Sequence, residues 1–141
     1  MSPFKDGRGI EYVCAEQWMM AEKARLFDDE ETLARILEDG HPKSQKRLGR
    51  SIQGFDNTTW EEHRSAIVEA GSYLKYTQNA ELKEALLATG DLELVEASPY
   101  DKIWGIGLAP DDPRARSKSN WIGLNLLGQA LMVTRTRLRD L

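Results

Sequence analysis

Apolar positions recur along this chain with two different spacings, and the changes between them mark its elements. In the opening stretch from Pro3 to Val13, Asp6-Gly7 lies between two short apolar runs, the signature of a hairpin turn joining two short strands. From Ala15 the spacing lengthens. Trp18, Met19, Glu22 and Leu26 fall at helical offsets and no proline or glycine intervenes through Phe27, so a first helix is expected there. Asp28 or Asp29 is positioned to cap a second helix carrying Leu33, Ile36 and Leu37 and ending at Gly40. Pro42 suits the first turn of a third, running to about Ile52. The longest helix starts after the cap candidates Asp56 to Thr59 and runs toward Gln78, with Trp60, Ile67, Gly71 and Leu74 on its buried stripe.

Asn79 or a neighbour opens a short helix through Leu86 and Leu87 that stops at Gly90. Residues Leu92 to Glu96 alternate apolar and polar, which predicts a strand. Pro99, Pro110 and Pro113 keep residues 98–120 mostly in loop. Leu124, Leu127, Leu131, Met132 and Leu138 then fall at helical offsets and predict a closing core helix. No internal repeat, low-complexity segment or domain linker interrupts the pattern. The expected fold class is α+β: a single helix-rich domain over residues 1–141 with a small β-sheet, built from the N-terminal hairpin and the 92–96 strand and covered by helices.

Composition narrows the functions such a domain can serve. A chain of 141 residues buries enough surface for one core without a metal or disulfide. The lone Cys14 has no partner for an intramolecular disulfide, which favours a reducing compartment, so an intracellular, cytoplasmic location is expected. One cysteine and two histidines are too few for a zinc site, and neither metal nor cofactor is expected. No apolar run has the length of a membrane span, so no membrane partner is expected either. A net charge of −4 argues against affinity gained mainly by coating phosphates, yet it leaves room for a pocket that takes one nucleotide.

Candidate chemistry gathers in three places. Glu16 and Lys23 are seven residues apart, so on a helix they lie about 20° from alignment and share a face. Met19 and Met20 sit between them, and an apolar floor there would tune either pKa by desolvation; a solvated surface pair is the plainer reading. The second place is the irregular tract from Glu96 to Gly107 with Ser119 to Gly128 after it. There Trp104 and Trp121 are candidates to sandwich a base or close a sugar pocket, or to serve as ordinary core. Gly105-Ile106-Gly107 lacks the third glycine of a dinucleotide fingerprint but could let backbone N–H groups approach an anion. Asp101 is either a turn cap or an acid, base or hydroxyl acceptor. Asn120 is a candidate cap for the last helix, and Asn125, an amide in an apolar stretch, needs a partner. The third place is the basic cluster His41 to Arg50, a solvated helix face or a contact for a phosphate backbone.

The motifs Cys14-Ala-Glu16-Gln-Trp18-Met-Met20-Ala-Glu-Lys23, Glu96-Ala-Ser-Pro-Tyr100-Asp101 leading into Trp104-Gly105 and Gly107, and Asn120-Trp121 leading through Gly123 and Asn125 to Gly128 together resemble the NADAR (YbiA-like) family. Leu48-Gly49-Arg50 and Lys75 to Asn79 fall between them in the same order, so the resemblance covers nearly the whole chain. It implies an N-glycosidase that cleaves a ribose C1′–nitrogen bond. The implied substrates are ADP-ribosylated guanine, in nucleic acid or as a nucleoside, and a ribosylaminopyrimidine phosphate of the early riboflavin pathway. It further implies Glu16, Lys23 and Asp101 as catalytic groups, with Met20, Trp104, Gly105, Gly107, Asn120, Trp121 and Asn125 as substrate-binding ones. Two departures stand out. The family's Phe-Ser-Asn-Phe-like opening is replaced by Met1-Ser2-Pro3-Phe4, and Ile106 stands where some relatives carry aspartate. With the basic cluster, Ile106 places ADP-ribosylated guanine ahead of the riboflavin intermediate. A non-catalytic ADP-ribose or nucleotide-binding module is the alternative from another class.

Both implied substrates attach ribose through an exocyclic amine, so the nitrogen keeps a hydrogen and the sugar can open to an imine. Hydrolysis then has two routes. Either Glu16 or Asp101 activates water against C1′ while a second group protonates the departing base, or Lys23 attacks the imine and forms a Schiff base that water resolves.

Overall fold

The computed structural model describes residues 2–141, so Met1 of the Met1–Phe4 opening lies outside the described residues. The chain forms two compact units, Met1–Leu82 and Lys83–Leu141. In the first, β1 (Phe4–Lys5) and β2 (Glu11–Tyr12) pair antiparallel, with Phe4 opposite Tyr12 and Lys5 opposite Glu11. The hairpin forms as expected, but its loop is longer than a two-residue Asp6-Gly7 turn. The amide of Asp6 donates to the carbonyl of Ile10, that of Gly9 to Asp6, and Gly9 rather than Gly7 takes the left-handed conformation at φ +81°. The Asp6 carboxylate organises this loop by accepting from the amides of Arg8 and Ile10 and from the Tyr12 hydroxyl. Burial raises its pKa, but these donors and the Arg8 charge outweigh burial and hold it below the ordinary value.

Helix α1 (Ala15–Leu26) is the centre of this unit, with α2 (Glu30–Glu38), α3 (Pro42–Arg50) and α4 (Asn57–Gln78) packed against it. It buries Gln17, Trp18, Met20, Ala21 and Ala24, spread around more than one face, as a helix with three neighbours must. The Trp18 ring meets Tyr12 edge to face at 5.1 Å, and Tyr12 stacks with Phe4 at 5.7 Å. On its other side the indole lies so close to Gly71 of α4 that a Cβ there would overlap it, and its Nε1 donates to the carbonyl of Ile67 at 2.8 Å. Gly71 therefore marks a close approach of helix backbone and ring. Buried Gln17 donates to the carbonyls of Ile36 and Asp39, satisfying the C-terminal end of α2 where intrahelical partners run out. Of the cap candidates, Asp29 serves α2 and Asp56 serves α4, each accepting from the amide three residues on. Tyr12, enclosed by these aromatics and donating to Asp6, has its pKa pushed up to about 12, burial being the largest cause.

Helix α5 (Ala80–Ala88) carries the chain into the second unit, where Gly90 turns it at φ +62°. The strand expected at 92–96 does not form, and among the described residues the sheet is β1 and β2 alone. Side chains take the place of a partner strand: Asn125 binds the Leu94 carbonyl and the Glu96 amide, and Arg135 binds the Leu92 carbonyl. Leu92, at 70% exposed, accordingly buries no face. Residues 98–120 are mostly irregular, with two single 3₁₀ turns at Pro113–Arg116 and Lys118–Asn120. Helix α6 (Leu126–Arg139) closes the unit. Its buried positions are Gly128, Ala130, Thr134, Arg135 and Leu138; of the expected run Leu138 is buried, Leu127, Leu131 and Met132 are half-buried, and Leu124 precedes the helix in exposed chain. No helix among the described residues is long and apolar enough to cross a membrane.

Candidate active site

In the first unit the geometry converges on Lys23. Glu16, Met20 and Lys23 lie on successive turns of α1; Met20 is buried and the other two are half-buried. The Lys23 ammonium sits 4.7 Å from the centroid of the Phe55 ring and 5.4 Å from that of Trp60. Burial pushes its pKa below the ordinary value; the Glu16 charge opposes that shift and the Arg50 charge adds to it. The shared face read from the spacing of Glu16 and Lys23 is therefore present. The surroundings of the amine are aromatic, however, where a methionine floor was expected. Met20 instead fills the space over Gly49 of α3, where a Cβ would overlap its sulfur.

Phe55 and Trp60 escaped the sequence reading as site residues, although a signal for them exists. Asp56 is the N-cap of α4, which puts Phe55 at the position before the cap and Trp60 at the fourth helical position, the spacing of a hydrophobic staple. The turn that starts α4 thus also builds the aromatic wall around the amine. Two rings facing one ammonium offset part of the cost of burying it. An amine whose pKa burial lowers, on one helix face with a carboxylate, has the chemistry of a nucleophile with its own proton shuttle.

In the second unit the candidate residues form one tightly bonded loop. Asp101 acts as a turn cap: its Oδ1 accepts from the amides of Ile103 and Trp104 at 3.0 and 2.8 Å, and its carbonyl accepts from Gly107. The Gly107 and Ile106 amides are thereby committed to Asp101 and Glu96, so they do not form the anion-binding pair considered for Gly105-Ile106-Gly107. Gly105 is present for space, since a Cβ would lie 2.8 Å from the Glu96 carbonyl, and Gly107 for its φ of +74°. Ile106 is fully buried. Trp104 is half-buried. Trp121, also half-buried, donates from Nε1 to the Ala115 carbonyl.

Asn120 is exposed and ends the second 3₁₀ turn, so it does not cap α6; that position belongs to Asn125, in the left-handed conformation at φ +53°. The Asn125 amide is buried, and both its ends are bonded to the loop backbone. The partner its apolar surroundings called for is thus the chain itself. Among the described residues no three His, Cys, Asp or Glu side chains gather closely enough to hold a metal ion.

An amine and a carboxylate on one helix face, with aromatic rings against the amine, define a site suited to carbonyl or sugar chemistry. The NADAR domain model matches residues 2–139, and the chain belongs to the NADAR domain family. An N-glycosidase of Acanthamoeba polyphaga mimivirus is 46% identical over 125 residues, covering 89% of this chain and 74% of that protein. The N-glycosidase YbiA of Shigella flexneri is 30% identical over 130 residues, covering 92% of this chain and 72% of its own. A protein named for riboflavin biosynthesis in Vibrio vulnificus is 31% identical over 118 residues, which are 84% of this chain and 29% of that one. The NMR structure of Escherichia coli YbiA superposes with a TM-score of 0.79 at 29% identity, covering 98% of this chain and 73% of that chain. That likeness places the two-stranded, helix-rich α+β architecture within the family.

Proposed function

We propose that this chain works as a single NADAR domain and is an N-glycosidase that hydrolyses the bond between ribose C1′ and an exocyclic nitrogen, with ADP-ribosylated guanine as its substrate. The observation that carries the reading is the Lys23 amine, half-buried against Phe55 and Trp60 with its pKa lowered by burial and with Glu16 on the same face. When the sugar opens, the glycosidic nitrogen becomes an imine to C1′. Neutral Lys23 adds to C1′, the guanine amine leaves with a proton relayed by Glu16, and the lysine imine remains. Water then adds to that carbon and releases free ADP-ribose and the original lysine. On this reading Glu16 and Lys23 are the catalytic groups and Met20 fixes the helix face that presents them. Asp101, Gly105, Gly107 and Asn125 act by holding the loop that carries Trp104, while Asn120 and Trp121 lie at its far end.

A second substrate, a ribosylaminopyrimidine phosphate, is favoured by the riboflavin name of the Vibrio vulnificus relative. It shares the exocyclic nitrogen and the same route. Ile106, fully buried, bears on the choice only through the shape of its loop, so the preference for guanine rests on the basic face of α3.

The test offers the protein each substrate and follows free sugar by chromatography, with borohydride added during turnover. Release of ADP-ribose with a borohydride-fixed ribosyl group on Lys23 is expected, because a Schiff base is reducible. Release without any adduct would leave a carboxylate-activated water as the mechanism. Tight binding of ADP-ribose with no release from either substrate would make the protein a binding module.

A further inference from the structure

Phe55 stands in the site without the support of the core: its ring is 44% exposed, whereas Trp60 beside it is buried. A side chain so exposed keeps one orientation only where neighbours brace it. Lys23 and Phe27 are four residues apart, with the Phe27 amide donating to the Lys23 carbonyl, so they share a face at the end of α1. The Phe55 ring lies across that face. Its centroid is 4.7 Å from the Lys23 ammonium and 5.3 Å from the centroid of the Phe27 ring, to which it is tilted by 59°. The backbone leading to Phe55 is tied to the corner that follows α1. Asp29 Oδ1 accepts from the Thr32 amide, and Oδ2 accepts from the Thr32 hydroxyl and, at 2.9 Å, from the amide of Gln53. Capping α2 requires only the Thr32 amide; the bond to Gln53 serves no helix. Gly54 then turns the chain at φ +76°, close enough that a Cβ would lie 3.8 Å from the Phe27 carbonyl.

This brace keeps water from the amine. Hydration stabilises an ammonium, and rings laid against it remove that hydration and favour the neutral form. Burial is the largest influence on Lys23; among charges, Glu16 on the same helix opposes it and Arg50 of α3 adds to it. The carboxylates of the turn are engaged elsewhere, Asp29 by Thr32 and Gln53 and Asp56 by Thr59. Taking the ring away is therefore the change to which the amine responds most.

We infer that Phe55 is a positioning residue for Lys23, held over the amine by Phe27 and by the bond from Gln53 to Asp29, and that without this cover the lysine is an ordinary surface amine. The inference rests on the N-glycosidase reading for its chemistry, but the state of the amine is measurable without any substrate. The experiment labels the protein with a trace of acetic anhydride, which acylates neutral amines, and follows Lys23 by peptide mass spectrometry across pH. Each rate is read against the same variant's limit at high pH, so that easier access after truncation cancels. In the wild type the rate should rise through a limb that lies below 10.5. Phe55→Ala should carry the limb toward 10.5 and lower the scaled rate at neutral pH by at least about threefold, since below the pKa each unit is tenfold in neutral amine. Phe55→Tyr keeps the ring and should keep the wild-type limb. Asp29→Asn retains a good cap for α2 but turns an amide donor toward the Gln53 amide, and should move the limb as Phe55→Ala does. Circular dichroism checks each fold, and Phe27→Leu tests the other brace should the Asp29 variant not fold. A limb unmoved by Phe55→Ala, or moved equally by Phe55→Tyr, would overturn the positioning role; a limb unmoved in folded Asp29→Asn would overturn the tether. In sugar release the same displacement should appear in kcat, with KM little changed. If the limb moves as expected while the wild type releases no sugar, the positioning stands and the glycosidase reading fails.

Discussion

Asn125 does three jobs at once, and replacing it separates them. Its Nδ2 donates to the Leu94 carbonyl and its Oδ1 accepts from the Glu96 amide, both at 2.9 Å, so one side chain stands in for a strand partner. Its backbone adopts φ +53°, ψ +41°, while its own carbonyl accepts from Gln129 in the first turn of α6. Asn125→Ala deletes both side-chain bonds, each worth about 1 kcal/mol where the freed backbone group can reach water. It also puts alanine in a left-handed conformation that asparagine tolerates better, for about 1 kcal/mol more. The expected loss is therefore about 3 kcal/mol. Asn125→Gly loses the bonds but not the backbone fit, so it should be milder by about 1 kcal/mol. Asn125→Asp keeps the acceptor for Glu96 but sets a carboxylate against the Leu94 carbonyl. Protonation restores a donor, so the folded state binds that proton more tightly, and this variant should approach wild-type stability at acid pH and lose it as pH rises. Urea unfolding by circular dichroism gives the free energies, and amide exchange at Glu96 reports the local bond. Stability of Asn125→Ala within about 0.5 kcal/mol of wild type, the range of an ordinary surface substitution, or a glycine variant no milder than alanine, would refute this account.

Lys23→Met should abolish sugar release, a loss of 10² or more where an acid–base group is removed, roughly the lower end of such effects. It should also raise stability at neutral pH. Burial holds the folded pKa of Lys23 below 10.5, so the unfolded chain binds the proton more tightly and wild-type stability climbs as pH rises through that window; the variant's advantage in urea should shrink toward pH 10.5, and a constant advantage would contradict the shift. Gly71→Ala drives a Cβ into the rigid Trp18 indole and should cost about 1–3 kcal/mol, whereas Gly49→Ala meets only the flexible end of Met20 and should cost less; equal melting temperatures for the pair would deny the distinction. Asp6 has a depressed pKa in the fold, so its contribution is present above 3.8 and lost as pH falls through the folded value. Asp6→Asn should therefore flatten the acid limb of the stability curve, and an unchanged limb would remove Asp6 as its cause.

The helices were legible because their ends are written locally. Asp29 and Asp56 cap, Pro42 opens a first turn, and the apolar spacing between these signals has a single reading as helix. The segment 92–96 was not legible for the opposite reason. Its alternation is real, but the groups that satisfy its backbone are an asparagine and an arginine some thirty and more residues further on, and no local pattern announces them. Long-range partners also decided the fate of α6, whose buried face runs through Gly128, Thr134 and Arg135 as well as Leu138, leaving Leu127 and Leu131 half-buried.

The candidate site divides along the same line. That Glu16 and Lys23 share a face follows from 100° per residue alone, because both lie on one uninterrupted helix. What surrounds the amine depends on where α4 begins, and that is set by Asp56 accepting from the Thr59 amide at 2.9 Å. Since the same cap places Phe55 and Trp60 on either side of itself in sequence, the aromatic wall is a consequence of helix initiation. It needs no conserved pocket motif to be read. A lysine at helical spacing from a carboxylate is common on protein surfaces and usually inert. A lysine whose partner face is also the stapled start of another helix is desolvated by construction, and that combination turns a charged surface pair into a candidate nucleophile.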